Sequence, residues 1–136
     1  MVASPDKWGV VVVDAVDRWR SQCKEIFIIA EDNAGGEMIL TTINPIAKDM
    51  GIPEAIMTTD NLIPSVNNKY VRALPIRSRW GRAKCGMIGD QPKLEYEMCN
   101  WIDGAAWSPN GMDAMVIGMR RLLLIEEGHG AFFVDM

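Results

Sequence analysis

Apolar residues recur at helical spacing near the start of the chain. Trp8, Val11, Val12, Ala15 and Trp19 fall on one face over residues 4–23, with Lys7, Asp14, Asp17 and Arg18 largely opposite. Ser4 suits an N-cap, Pro5 the first helical position and Asp6 the positive end of the helix dipole. The valines at 10–13 pull toward a strand, but the caps and the longer period predict a helix. The run Ile26, Phe27, Ile28, Ile29 then reads as a buried strand. It leads into Glu31, Asp32, an Asn and a Gly pair, and residues 26–38 are the stretch around which the chain is organised.

A second helix is predicted from Gly36 to about Met50, carrying Met38, Ile39, Ile43, Ile46 and Ala47, kinked at Pro45 and ended by Gly51. Residues 52–58 read as another strand, and the polar stretch 59–69 as a mobile loop. Residues 69–80 form a basic helical stretch, 84–88 a short strand and Gly89-Asp90 a turn. Residues 92–101 form an amphipathic helix with Leu94, Met98 and Trp101 inward. Ser108-Pro109 repeats the cap-then-proline signal and opens a helix through Met112, Met115, Val116, Met119 and Leu123, whose Met-rich stripe has the period of a buried face. The tail 126–136 has no strong pattern. The order helix, strand, helix, strand, helix, strand, helix, helix predicts an α/β domain over residues 1–125.

Composition narrows the classes. The chain has 136 residues, 49% hydrophobic and 24% charged, which are globular values. Its apolar runs are too short to span a bilayer, and no basic-then-apolar signal follows Met1, so a cytoplasmic protein without membrane contact is expected. Cys23, Cys85 and Cys99 share no close spacing, which argues against a zinc site or a disulfide framework. His129 is the single histidine and anchors no Ser-His or Cys-His mechanism. A net charge of −4 gives no general attraction for nucleic acid. The exception is local: Lys69, Arg72, Arg77, Arg79, Arg82 and Lys84 crowd into sixteen residues and could neutralise phosphates, or simply form a solvated helix face.

Two acids carry the candidate chemistry. On an alternating strand Glu31 points with Phe27 and Ile29, and Asp32 with Ile28 and Ala30, so only one of them faces a given site. A carboxylate at the carboxyl end of a strand, followed by glycines, is a candidate metal ligand, though it also fits a polar strand end entering a loop. Asp113 sits in the opening turns of the last helix, where the dipole alone would favour it. Acids projecting to one site can hold Mg²⁺ or Mn²⁺ for phosphodiester cleavage. Spacing by itself does not choose between these roles.

The segments SPDKW, IIAEDNAGGEM, YVRALPIRSRWGRAKCGMIG, KLEYEMCNW and SPNGMDAMVIGM follow one another within residues 4 to 124. In that order they resemble the nuclease domain of tailed-phage terminase large subunits, with its SP..W, AE.N.GG.M, K.RA.P, LE.QMC.W and SPDR.DALV motifs. The resemblance implies an RNase H-like fold and two-metal, Mg²⁺- or Mn²⁺-dependent cleavage of concatemeric viral DNA during genome packaging. It implies double-stranded DNA, the portal protein, the small terminase subunit and an ATPase domain as partners, in the cytoplasm of an infected host.

Carried over position by position, Glu31 and Asp113 become the catalytic, metal-binding acids, expected to share one site; the resemblance also raises Lys69 and Arg72 as DNA contacts, because basic residues recur in that stretch of the family. Arg77 and Arg79 join them as candidate DNA contacts. Asn110 stands where the family usually has an acid and offers a neutral oxygen instead. The family's opening strand hairpin, which bears its first metal-binding Asp, precedes the SP..W helix, and the sequence starts at that helix. The expectation is therefore a partial RNase H-like fold, inactive alone. A non-catalytic DNA- or partner-binding remnant and a stand-alone RNase H-like nuclease or resolvase are the alternatives.

Overall fold

The computed structural model of the chain describes residues 4–32, 36–64 and 68–123. They are helical and β-stranded, a mixed α/β arrangement, in two compact units, Met1–Ser65 and Val66–Met136. The tail 126–136 lies outside the described residues. Among the described residues, no helix is long and apolar enough to cross a membrane.

In the N-terminal unit, α1 (Pro5–Arg20) starts at the predicted position with Pro5 in its first turn, but the Ser4 side chain makes no capping hydrogen bond. Ser4 is extended, and its carbonyl accepts from the backbone N–H groups of Lys7 and Trp8. The buried face is not the predicted one. Gly9, Val13 and Val16 are buried with Trp8 and Val12 beside them, whereas Val11 is 68% exposed and Ala15 and Trp19 also face solvent. Four consecutive valines cover roughly 300° of a helix, so they leave the inward face undecided. Gly9 decides it: a Cβ there would lie 2.6 Å from Ile46 Cδ1 and 3.2 Å from Thr42 Cγ2, and its absence lets α1 close on α2 (Gly36–Met50).

α2 buries Ile43 and Ala47, leaves Met38 exposed and contains Pro45. It ends where Gly51 takes a positive φ of 69°, with the Gly51 and Ile52 N–H groups donating to the Lys48 and Ala47 carbonyls. That paired closure is the standard glycine-terminated end of a helix. Ile52 then returns to the core.

The strands differ from expectation. Residues 26–29 are not laddered; β1 is Ala30–Asp32, and it pairs in parallel with β2 (Leu62–Pro64), in register Ala30↔Leu62, Glu31↔Ile63 and Asp32↔Pro64. The predicted strand at 52–58 is instead a 3-10 turn at Pro53–Ala55 followed by irregular chain. Pro53 removes a ladder donor there and favours the turn. Asparagine side chains do the work of strands on both sides. Asn44 donates to the Met57 carbonyl (2.9 Å) and accepts from the Met57 N–H (2.7 Å), and Asn61 Nδ2 donates to the Ile28 carbonyl (2.8 Å). Part of the predicted loop 59–69 is thus ordered as the 3-10 turn Thr59–Asn61 and β2.

In the C-terminal unit, α3 (Lys69–Gly81) is capped by Asn68, whose side chain accepts from the Val71 N–H at 2.8 Å. Its far end closes like that of α2, with Ala83 N–H on the Trp80 carbonyl and Lys84 N–H on the Arg79 carbonyl. Here, however, an alanine takes the left-handed position, at φ 54°. Ala83→Gly should relieve that strain and stabilise the unit by about 1 kcal/mol, read as a higher urea midpoint at unchanged slope.

The strand predicted at 84–88 is absent among the described residues: the stretch is irregular, and Ile88 is 96% exposed. An apolar run with no neighbouring strand leaves its backbone groups without ladder partners. α4 (Pro92–Asn100) and α5 (Asn110–Leu122) match the predicted helices, with Leu94, Met98 and Trp101 half-buried and Met112 and Val116 buried. Ser108-Pro109 does not cap α5 as expected. Glu97 of α4 reaches across, and its carboxylate accepts from the Met112 N–H at 2.6 Å.

Candidate functional site

The opening turns of α3 and α5 meet, and they bring residues forty positions apart into one polar cluster. Asp113 is 7% exposed. Arg72, equally buried, donates from Nη2 to both carboxylate oxygens, at 2.9 and 3.0 Å. Lys69 Nζ lies 3.6 Å from Asp113 Oδ2. The same ammonium donates to Ser108 Oγ at 2.6 Å and to Asn110 Oδ1 at 3.4 Å, and the Ser108 hydroxyl donates to Asn110 Oδ1 at 2.8 Å. Burying a carboxylate is costly unless it is paired and hydrogen-bonded, and here two cations and the positive end of α5 compensate it.

The cluster has a floor and a rim. Asp113 and Arg72 neutralise each other beneath the surface. Lys69, Ser108 and Asn110 reach solvent above them, so the exposed part is one positive charge flanked by a hydroxyl and a carboxamide. These are donor types that hold phosphodiester oxygens.

Of the residues singled out in the sequence, Lys69, Arg72, Asn110 and Asp113 are brought together. Arg72 is buried against Asp113 rather than displayed to a DNA backbone. Arg77 and Arg79 do not join the cluster: α3 carries Arg77 roughly 140° around from Arg72, exposed, while Arg79 is half-buried two turns beyond Arg72. Glu31 lies at the centre of β1, half-buried, in the Met1–Ser65 unit, whereas Asp113 belongs to Val66–Met136. Asp32 sits with its carboxylate against Gly36, at the opening of α2, where a Cβ would collide with it. Ser108 and Glu97 were not recognised from the sequence. Ser108 reads as a cap and nothing in the sequence singles out Glu97; only the meeting of helices gives them roles.

Mg²⁺ or Mn²⁺ fits the Asp113 cluster poorly in this arrangement. Both carboxylate oxygens accept from Arg72, and Lys69 adds a second positive charge that a divalent ion would have to face. Among the described residues, no group of three or more His, Cys, Asp or Glu side chains is placed to hold a metal ion. Comparison of the chain with protein-family profiles, with curated proteins and with solved structures finds no significant match.

Proposed function

We propose that this chain is part of the nuclease domain of a tailed-phage terminase large subunit, partial RNase H-like in architecture, and that it engages double-stranded DNA. The observation carrying this reading is the convergence of two separate stretches, the K.RA-like start of α3 and the SP..DA-like start of α5. Their polar residues form one hydrogen-bonded set. The parallel β1–α2–β2 unit, with Glu31 at the centre and Asp32 at the end of its first strand, is the kind of local structure such a domain uses.

In this reading, Mg²⁺- or Mn²⁺-dependent endonucleolytic cleavage of concatemeric viral DNA belongs to the complete domain. That domain works with the ATPase domain, the portal protein and the small terminase subunit in the host-cell cytoplasm. The present chain contributes Lys69, Ser108 and Asn110 as backbone-holding groups and does not cut by itself. A non-catalytic DNA- or partner-binding protein is the second reading, and the Arg72–Asp113 pair favours it, because a carboxylate locked in an ion pair is not presented to a metal.

Fluorescence anisotropy with a DNA duplex, repeated across salt concentrations, tests the DNA contact. Affinity should fall as salt rises, and Lys69→Gln should reduce the slope of log K against log salt by about 1. Arg77→Gln, lying away from the cluster, should leave the slope nearly unchanged. Binding that ignores salt, or that ignores Lys69→Gln, would rule out the cluster as a phosphate contact.

A further inference from the structure

The polar rim has an aromatic neighbour. Trp107 directly precedes Ser108 in the chain, and its ring packs on Tyr96 of α4, with centroids 6.0 Å apart and planes at 36°. Both rings remain exposed, Tyr96 at 62% and Trp107 at 39%. Glu97, the residue after Tyr96, holds α4 against the start of α5 by accepting from the Met112 N–H. The pair and the rim residues Lys69, Ser108 and Asn110 therefore flank one helix start within a single unit. Exposed Trp and Tyr surface beside a cation is the combination that binds single-stranded nucleic acid: the charge holds the backbone, and the rings take the flat faces of bases. A paired base cannot offer that face, because it is stacked between its neighbours in the duplex. Phosphate and base in one nucleotide are joined through a single sugar, a separation that side chains on adjacent residues such as Trp107 and Ser108 can match.

We propose that the rim and the Tyr96–Trp107 pair together bind an unpaired nucleotide of a DNA strand, with its phosphate on Lys69, Ser108 and Asn110 and its base stacked on Trp107. This rests on the DNA reading and narrows it: the site prefers a strand end or a gap to an intact stretch of duplex. The charge beside the rings selects this occupant over an apolar protein surface, for covering Lys69 with such a surface would strip water from its ammonium. Stacking accepts any base, so no strong sequence preference accompanies it.

The test uses the full chain and fluorescence anisotropy with three forms of one DNA duplex. One is blunt, one carries a short oligothymidylate overhang, and one carries an overhang of the same length and charge built from abasic sugars. The blunt form reads backbone contact alone. The thymidine overhang should bind about fivefold or more tightly than the abasic one. Trp107→Leu should erase that difference, and Trp107→Phe, which keeps a ring, should retain much of it. The wild-type comparison needs no variant, so the proposal stays testable if Trp107→Leu folds poorly. Equal binding of the two overhangs would overturn the proposal; if Lys69→Gln still lowered the salt slope on the blunt duplex, the DNA reading would survive it. A difference that persists in Trp107→Leu would also overturn it, because the bases would be held elsewhere. Dimerisation of the chain that Trp107→Leu abolishes would do the same, by showing that a second copy covers the rings. Failure to bind any of the three forms would instead remove the DNA reading itself, and this proposal with it.

Discussion

Arg72→Ala should destabilise the C-terminal unit by about 3–5 kcal/mol, because it strands the buried Asp113 carboxylate without its principal partner. A unit of this size is expected to have a total stability of only about 4–10 kcal/mol, so the variant should be largely unfolded at moderate temperature. The geometry makes the effect specific. Arg72 Nη2 contacts both oxygens, and Lys69, at 3.6 Å and one-third exposed, is too far and too solvated to substitute. Replacing both partners by apolar residues, Arg72→Met with Asp113→Leu, should recover most of the loss, since a well-packed apolar pair avoids the desolvation of both charges. Urea unfolding followed by the fluorescence of Trp80, Trp101 and Trp107 measures this. A single-variant loss below about 1 kcal/mol is what an exposed pair would give, and it would mean that the pair does not lock α3 to α5.

With Mn²⁺ and supercoiled plasmid, the chain alone should cut at least about 10³-fold more slowly than a nuclease of ordinary turnover. An ion approaching Asp113 must displace a guanidinium held by two hydrogen bonds and work against the Lys69 ammonium as well. Glu31→Gln and Asp113→Asn should therefore leave any residual rate unchanged; the amide in Asp113→Asn retains an acceptor for Arg72. Fusing an aspartate-bearing β-hairpin ahead of α1 should raise cleavage if the domain reading is right, and Asp113→Asn should then abolish the gain. No gain from the fusion leaves the non-catalytic DNA-binding reading. Robust cutting by the unmodified chain, abolished by Glu31→Gln, would refute the claim that it does not cut alone.

Helices were legible in the sequence because their signals are local. Ser4-Pro5, Gly51 and the spacing of Ile43 and Ala47 each act within a turn or two. Strands were not, since a ladder needs a partner that local sequence does not name. Residues 26–29 and 84–88 have strand-like composition without a ladder, while β2 lay hidden in a stretch rich in Asn and Pro. The inward face of α1 was also misjudged, for Val10 to Val13 offer apolar surface almost all round and the choice depended on Gly9. At the candidate site, Asp113, Lys69 and Arg72 were picked out singly. That Arg72 would neutralise Asp113, and that Ser108 would bridge Lys69 to Asn110, are consequences of packing between helices.

The sheet also bears on the order in which the N-terminal unit assembles. β1 and β2 pair over three residues each, with partners 32 positions apart in the chain. Closing a loop of that length costs about 3 kcal/mol beyond the constant term, and so short a ladder returns little until other contacts hold its ends together. The contacts between α1 and α2 span similar separations, but Val13, Val16, Ile43 and Ala47 supply a common apolar core that offsets the closure cost. Collapse of the helix pair should therefore come first, with the ladder zipping afterwards onto a preformed surface. Substitutions at Ile43 should slow refolding, whereas substitutions at Ile63 should mainly speed unfolding, which makes the stretch bearing Glu31 one of the last parts of its unit to take shape and one of the first to open.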